Sequence, residues 1–111
     1  MNKDQRSLSR ISCQLPALLR FPDEEPPEAW GRVYELGVDT LELETRRELT
    51  QEKIVYLSFI IDEQHTFDNI RAKVVRVSRQ GGYTGATVEY DQTVDRAYLH
   101  EGMKSYIEGK P

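Results

Sequence analysis

Cys13-Gln-Leu-Pro-Ala-Leu-Leu-Arg-Phe21 alternates apolar and other residues without a break. Cys13, Leu15, Ala17, Leu19 and Phe21 fall on one face, as a half-buried strand requires. The proline-rich acidic stretch Pro22 to Glu28 ends that strand. A second strand follows from about Ala29 to Leu36 and a third from about Thr40 to Glu44, where Leu41 and Leu43 oppose Glu42 and Glu44. Between them lies a tight turn in which Gly37 and Asp39 are the natural positions for positive φ.

The charged run Thr45 to Lys53 separates this hairpin from a fourth strand, Ile54 to Asp62, which has apolar residues on both sides and is expected to be covered on both faces. A long strand from Phe67 to Val77 and a last one from Tyr83 to Tyr90 are joined by Gln80, Gly81 and Gly82. Six strands joined by turns, with no helix between any pair, predict a mainly β domain: an antiparallel meander that closes into a six-stranded barrel and so hides its edges. Beyond Tyr90 the period changes. Tyr98, Leu99, Met103, Tyr106 and Ile107 recur at helical spacing, so a helix over about 91–108, capped by Asp91 or Thr93 and stopped by Gly109 and Pro111, is expected to pack on the barrel.

At the other end, MNKDQRSLSR carries charge and serine with almost no apolar content. Residues 1–12 are therefore expected to form a flexible basic arm, and residues 13–111 the barrel with its helix.

With 111 residues and 38% hydrophobic content, the chain suffices for one core and not for two. The net charge of −4 gives no global positive field to gather DNA or RNA, although Lys3, Arg6 and Arg10 form a local cluster that suits a small anion. Cys13 is the only cysteine, so no internal disulfide can form, and its place in the alternation suggests a small buried hydrophobe. No signal peptide is visible, and no apolar stretch approaches the ~20 residues of a membrane-spanning helix. The expected location is the cytoplasm without membrane insertion, as a monomer or homodimer.

Catalytic patterns are missing: there is no nucleophile elbow, no GxxxxGK[ST] loop and no HExxH. The expectation is a binding protein, not an enzyme. His65 and His100 have no neighbour at metal-ligand spacing, and Asp62, Glu63, His65 and Asp68 read as a solvated connection, so neither metal nor cofactor is expected. Glu42 and Glu44 read as the solvent side of their strand, and Trp30 beside Gly31 as core or rim packing rather than a platform for a base.

The strand order, the basic arm before the first strand and the helix after the last resemble the PilZ domain, a family of receptors for the bacterial second messenger cyclic di-GMP. Arg6-Ser-Leu-Ser-Arg10, followed by Ile11, is similar to the family's RxxxR signature. The segment Trp30 to Leu41 sits where the family carries (D/N)xSxxG, with Glu35 on the Asp/Asn position, Gly37 on the serine position and Thr40 on the glycine position. The resemblance thus implies a divergent member with a degenerate second motif, and a ligand site of Arg6, Arg10, Glu35, Gly37 and Thr40, with Asp39 as a substitute carboxylate.

Arginine suits such a ligand because its planar fork donates bidentately to phosphate or to a guanine O6/N7 edge. The implied function is a receptor module that passes the signal to an effector protein, in motility or biofilm regulation. The alternative is an adaptor that has lost the nucleotide and acts by protein contact alone.

Overall fold

The computed structural model describes residues 9–109. Its elements are β1 (Arg10–Arg20), β2 (Glu28–Gly37), β3 (Thr40–Thr45), β4 (Ile54–Asp62), β5 (His65–Gln80), β6 (Tyr83–Tyr90) and α1 (Arg96–Glu108). All paired strands are antiparallel, and they close into a barrel in the order β1-β2-β3-β6-β5-β4. The expected barrel is present, but it is not a simple meander. Two three-stranded meanders, β1-β2-β3 and β4-β5-β6, are joined along two seams, β3 with β6 and β1 with β4.

The cause lies in the run that the sequence presents as polar. Residues 46–53 are too long for a tight hairpin, and Leu49 within them is buried, so the segment crosses the barrel end with its one leucine turned inward. The seam between β1 and β4 holds only from Ala17↔Phe59 to Arg20↔Tyr56. It stops at Pro16, which has no N–H to donate.

The core follows the alternation. Ala17, Leu19, Val33, Leu36, Leu43, Val55, Leu57, Val74 and Val88 are fully buried, and Cys13 is buried among them. β4 departs from expectation: Val55, Leu57, Phe59 and Ile61 face inward, whereas Ile60 is 62% exposed, so only one face is covered. α1 meets β4 and β5 at the barrel end alone, through Leu99, Gly102 and Met103. Gly102 is required by proximity, since a Cβ there would stand 2.9 Å from Ile61 Cδ1 and 3.1 Å from His65 Cβ.

The helix starts later than the periodicity suggests. Asp95 is the N-cap, accepting from the Tyr98 N–H at 3.0 Å, while Asp91 accepts from the Thr93 hydroxyl at 2.7 Å in the preceding turn. Of the expected arm, residues 1–8 lie outside the described residues, and Arg10 to Ser12 are part of β1, paired with Gly37 to Glu35.

Candidate functional site

The start of β1 lies against the β2–β3 hairpin, because Arg10 pairs with Gly37 and Ile11 with Leu36. This register decides where the arginine points. Glu35 and Glu42 stand directly opposite each other across β2 and β3, an arrangement of like charges that is destabilising unless a cation joins it. Arg10 is that cation. Its Nη1 is ion-paired with Glu35, its Nη2 donates to Thr40 Oγ1 at 2.9 Å, and Nη2 also stands 4.0 Å from Glu42 Oε2.

Glu42 accepts in addition from the Thr87 hydroxyl of β6 at 2.9 Å. Its side chain is largely buried, not the solvent-facing group that alternation suggested. Nearby, burial and the Glu42 carboxylate push the Tyr34 hydroxyl's pKa upward, so that it remains a donor.

The structure therefore brings Arg10, Glu35 and Thr40 into contact. Gly37 is adjacent, and neither it nor Asp39 has positive φ. What the turn needs at 37 is space: a Cβ would stand 2.8 Å from the Thr40 carbonyl oxygen and 3.2 Å from that of Ser9. The Gly37 carbonyl accepts from the buried Tyr90 hydroxyl at 2.9 Å, and burial raises that hydroxyl's pKa, keeping it protonated. Asp39 turns away from Arg10 and pairs with Arg96 of α1 at 3.0 Å. Arg6 lies outside the described residues.

Two contributors had no sequence signal. Tyr90 reads as one more core residue of β6, and Arg96 as a helix surface residue, yet both hold the hairpin in place.

Of the residues that read as a solvated connection, Asp62 and His65 form a clasp between the β4–β5 turn and α1, while Asp68 accepts from Ser58 of β4. His65 is 4% exposed. Its Nδ1 is 2.8 Å from Asp62 and its Nε2 is 3.3 Å from Glu101, while Asp62 also accepts from the Ser105 hydroxyl at 2.7 Å. The hydrogen bonds from Ser105 and then His65 hold the Asp62 carboxyl down at about 2, and Asp62 first, then Glu101, raise the His65 pKa above its ordinary value. Among the described residues, no group of three or more His, Cys, Asp or Glu side chains is arranged to hold a metal ion, and no helix is long and apolar enough to cross a membrane.

No family model matches the sequence, and no curated protein does. Solved structures match in fold. The Bacillus subtilis inhibitor of motility, MotI/DgrA, is 14% identical, with a TM-score of 0.68 over 93% of this chain and 52% of that one. YcgR from Escherichia coli in complex with c-di-GMP is 13% identical, with a TM-score of 0.66 over 89% of this chain and 42% of that one. The PilZ domain of YcgR with c-di-GMP gives the same identity and TM-score, covering 89% of this chain and 86% of the domain. This chain thus spans about half the length of the first two proteins, and most of the isolated domain. At these identities the likeness is one of fold, and the fold of this chain is that of a PilZ domain.

Proposed function

We propose that this chain is a cyclic di-GMP receptor module that acts by binding, not catalysis, and relays the messenger to an effector protein in the cytoplasm. The observation that carries this is the convergence of Arg10, Glu35 and Thr40 at one end of the barrel, on positions that correspond to the family's two ligand motifs. Binding requires an exchange of partners. Arg10 leaves Glu35 for a phosphate or a guanine edge, and Glu35 accepts from guanine N–H groups, with Arg6 as the second guanidinium. Residues 1–9 would serve as the arm, and the remainder as the receiving body.

Isothermal titration with cyclic di-GMP tests this. Heat at micromolar ligand is expected, and it is lost in Arg10→Ala while the melting temperature changes little, because a half-exposed ion pair contributes only about 0–1 kcal/mol. No heat at high micromolar ligand ends the receptor proposal.

A second reading has an observation of its own. Arg10 already faces two carboxylates, and there is no room at position 37 for the family's serine. Both features favour an adaptor that keeps the fold, has lost the nucleotide and works by protein contact. In that case Arg10→Ala leaves the partner complex unchanged.

A further inference from the structure

At the far end of the barrel from Arg10, one residue beyond the Gly31–Thr45–Thr84 row of β2, β3 and β6, stand Trp30, Arg46 and Tyr83. Trp30 pairs with Leu18, eight residues along β1 from Arg10, or about 26 Å at strand spacing. Contrary to its expected packing role, Trp30 is 69% exposed, and Tyr83 is 45% exposed. Between them the Arg46 guanidinium lies 5.2 Å from the Tyr83 ring centroid, with Nη2 donating to the Tyr83 hydroxyl at 3.3 Å. The row borders a groove of about 520 Å³ that continues to Arg32, Glu44 and Arg47.

The charges of this groove do not cancel. Glu44 is occupied by Arg32 at 2.8 Å, and Arg47 reaches out of the groove to Glu24 at 2.8 Å. Arg46 has no carboxylate partner among the described residues, and Arg47 Nη1 is buried without an acceptor. In a chain of net charge −4, this is a cation left over on an apolar shelf.

The shelf is also held still. The Thr45 hydroxyl donates to the Trp30 carbonyl at 2.8 Å, and the Arg47 N–H donates to Thr45 Oγ1 at 3.2 Å, so the backbone at Trp30 is tied to the end of β3 that carries Arg46. An exposed aromatic beside a guanidinium with no carboxylate partner among the described residues is the composition from which binding hot spots are built. Two exposed aromatics lining one groove form a contiguous patch of the kind that marks an interaction surface.

We infer that the Trp30–Arg46–Tyr83 groove docks an extended segment of another protein. That segment places an aromatic or aliphatic side chain on Trp30 and a neighbouring carboxylate on Arg46. Charge selects this occupant. One carboxylate matches the one guanidinium of the groove that has no carboxylate partner among the described residues, whereas a polyanion would meet Glu44 as well. The inference goes beyond the nucleotide proposal and does not depend on it, since the groove is complete without ligand at the other end.

Trp30 is the only tryptophan, so its emission reads the site directly. A random 12-residue peptide library displayed on phage is panned against the chain, and enriched peptides are synthesised and titrated. The expected consensus sets Asp or Glu beside an aromatic or aliphatic residue. Binding should shift Trp30 emission to the blue, and affinity should fall at least tenfold in both Arg46→Glu and Trp30→Ser, the second read by calorimetry. Replacing the peptide's acid by lysine should restore binding to Arg46→Glu. A consensus without acids, no consensus, or peptides bound equally by both variants overturns the inference. Sedimentation showing a dimer that Trp30→Ser dissolves would also overturn it, since a second copy would then occupy the groove. Cyclic di-GMP titration of the same variants keeps the two proposals separable, because neither variant touches the Arg10 end.

Discussion

The two ends of the barrel treat their arginines in opposite ways. At the β1 start, Arg10 is surrounded by acceptors from two other strands, Glu35, Thr40 and Glu42, and the turn behind them is held by Tyr90 and Arg96. At the Trp30 end, Arg46 leans on an aromatic ring and meets no carboxylate among the described residues. The difference teaches where each end stands before any partner arrives. An anion reaching Arg10 must displace an internal one, whereas an anion reaching Arg46 displaces no carboxylate among the described residues. Selectivity at the first end is therefore set by competition with internal acids, and at the second by the match of one incoming charge to Arg46 beside the aromatics.

The largest effect should come from removing what closes each end. Leu99→Ala at the helix and Leu49→Ala in the crossing loop each delete a side chain with essentially no exposure, and each should cost about 2–5 kcal/mol. Differential scanning calorimetry should show melting temperatures lowered by about 10 °C or more. If only one of the two falls, the ends are not equally part of the core. Next in size is Tyr90→Phe, which leaves the Gly37 carbonyl without its buried donor and should cost about 1–3 kcal/mol in urea titration. An unchanged midpoint would mean that the hairpin is held by the strand ladder alone.

Proton linkage distinguishes the ends more finely. His65 has a pKa above its ordinary 6.5, so its contribution is fully present below that pH and is lost as pH rises through the higher folded value. Asp62 works in the other direction: its contribution is present above 3.8 and is lost as pH falls through about 2. The groups facing His65 are Asp62, Glu101 and the Tyr98 ring. Thermal melts should therefore decline from pH 6 towards pH 8, and His65→Gln should flatten that slope. An equal slope in the variant would place the effect elsewhere in the molecule.

The strands were legible because buried residues recur at every second position over most of β1, β3 and β4. β4 and β6 have the boundaries that alternation assigns, and the helix stripe of Leu99 and Met103 is buried as its spacing requires. The strand order was less legible. Nothing local in Thr40 to Glu44 says that its second neighbour is β6 and not β4, since pairing across a seam depends on the length and route of the crossing loop, and on Leu49 hidden among charges.

The candidate site divides similarly. The place of Arg10, Glu35 and Thr40 followed from motif positions, but their mutual saturation did not, because Glu35 opposite Glu42 is a matter of register across two strands. His65 looked solvated because the residues that cover it, Tyr98, Glu101 and Gly102, lie more than thirty residues away on α1. Trp30 looked like packing because an outward aromatic at a strand start carries the same local pattern as an inward one.

The short seam between β1 and β4 has a mechanical consequence. From Arg10 to Pro16, β1 is laddered on its β2 side and has no registered partner in β4. Under strain the barrel would unzip from this slit, and amide exchange would begin there rather than along the six-pair seam of β3 and β6. The strand carrying Arg10 is thus also the stave most easily pried loose, and its first movement would part Arg10 from Glu35.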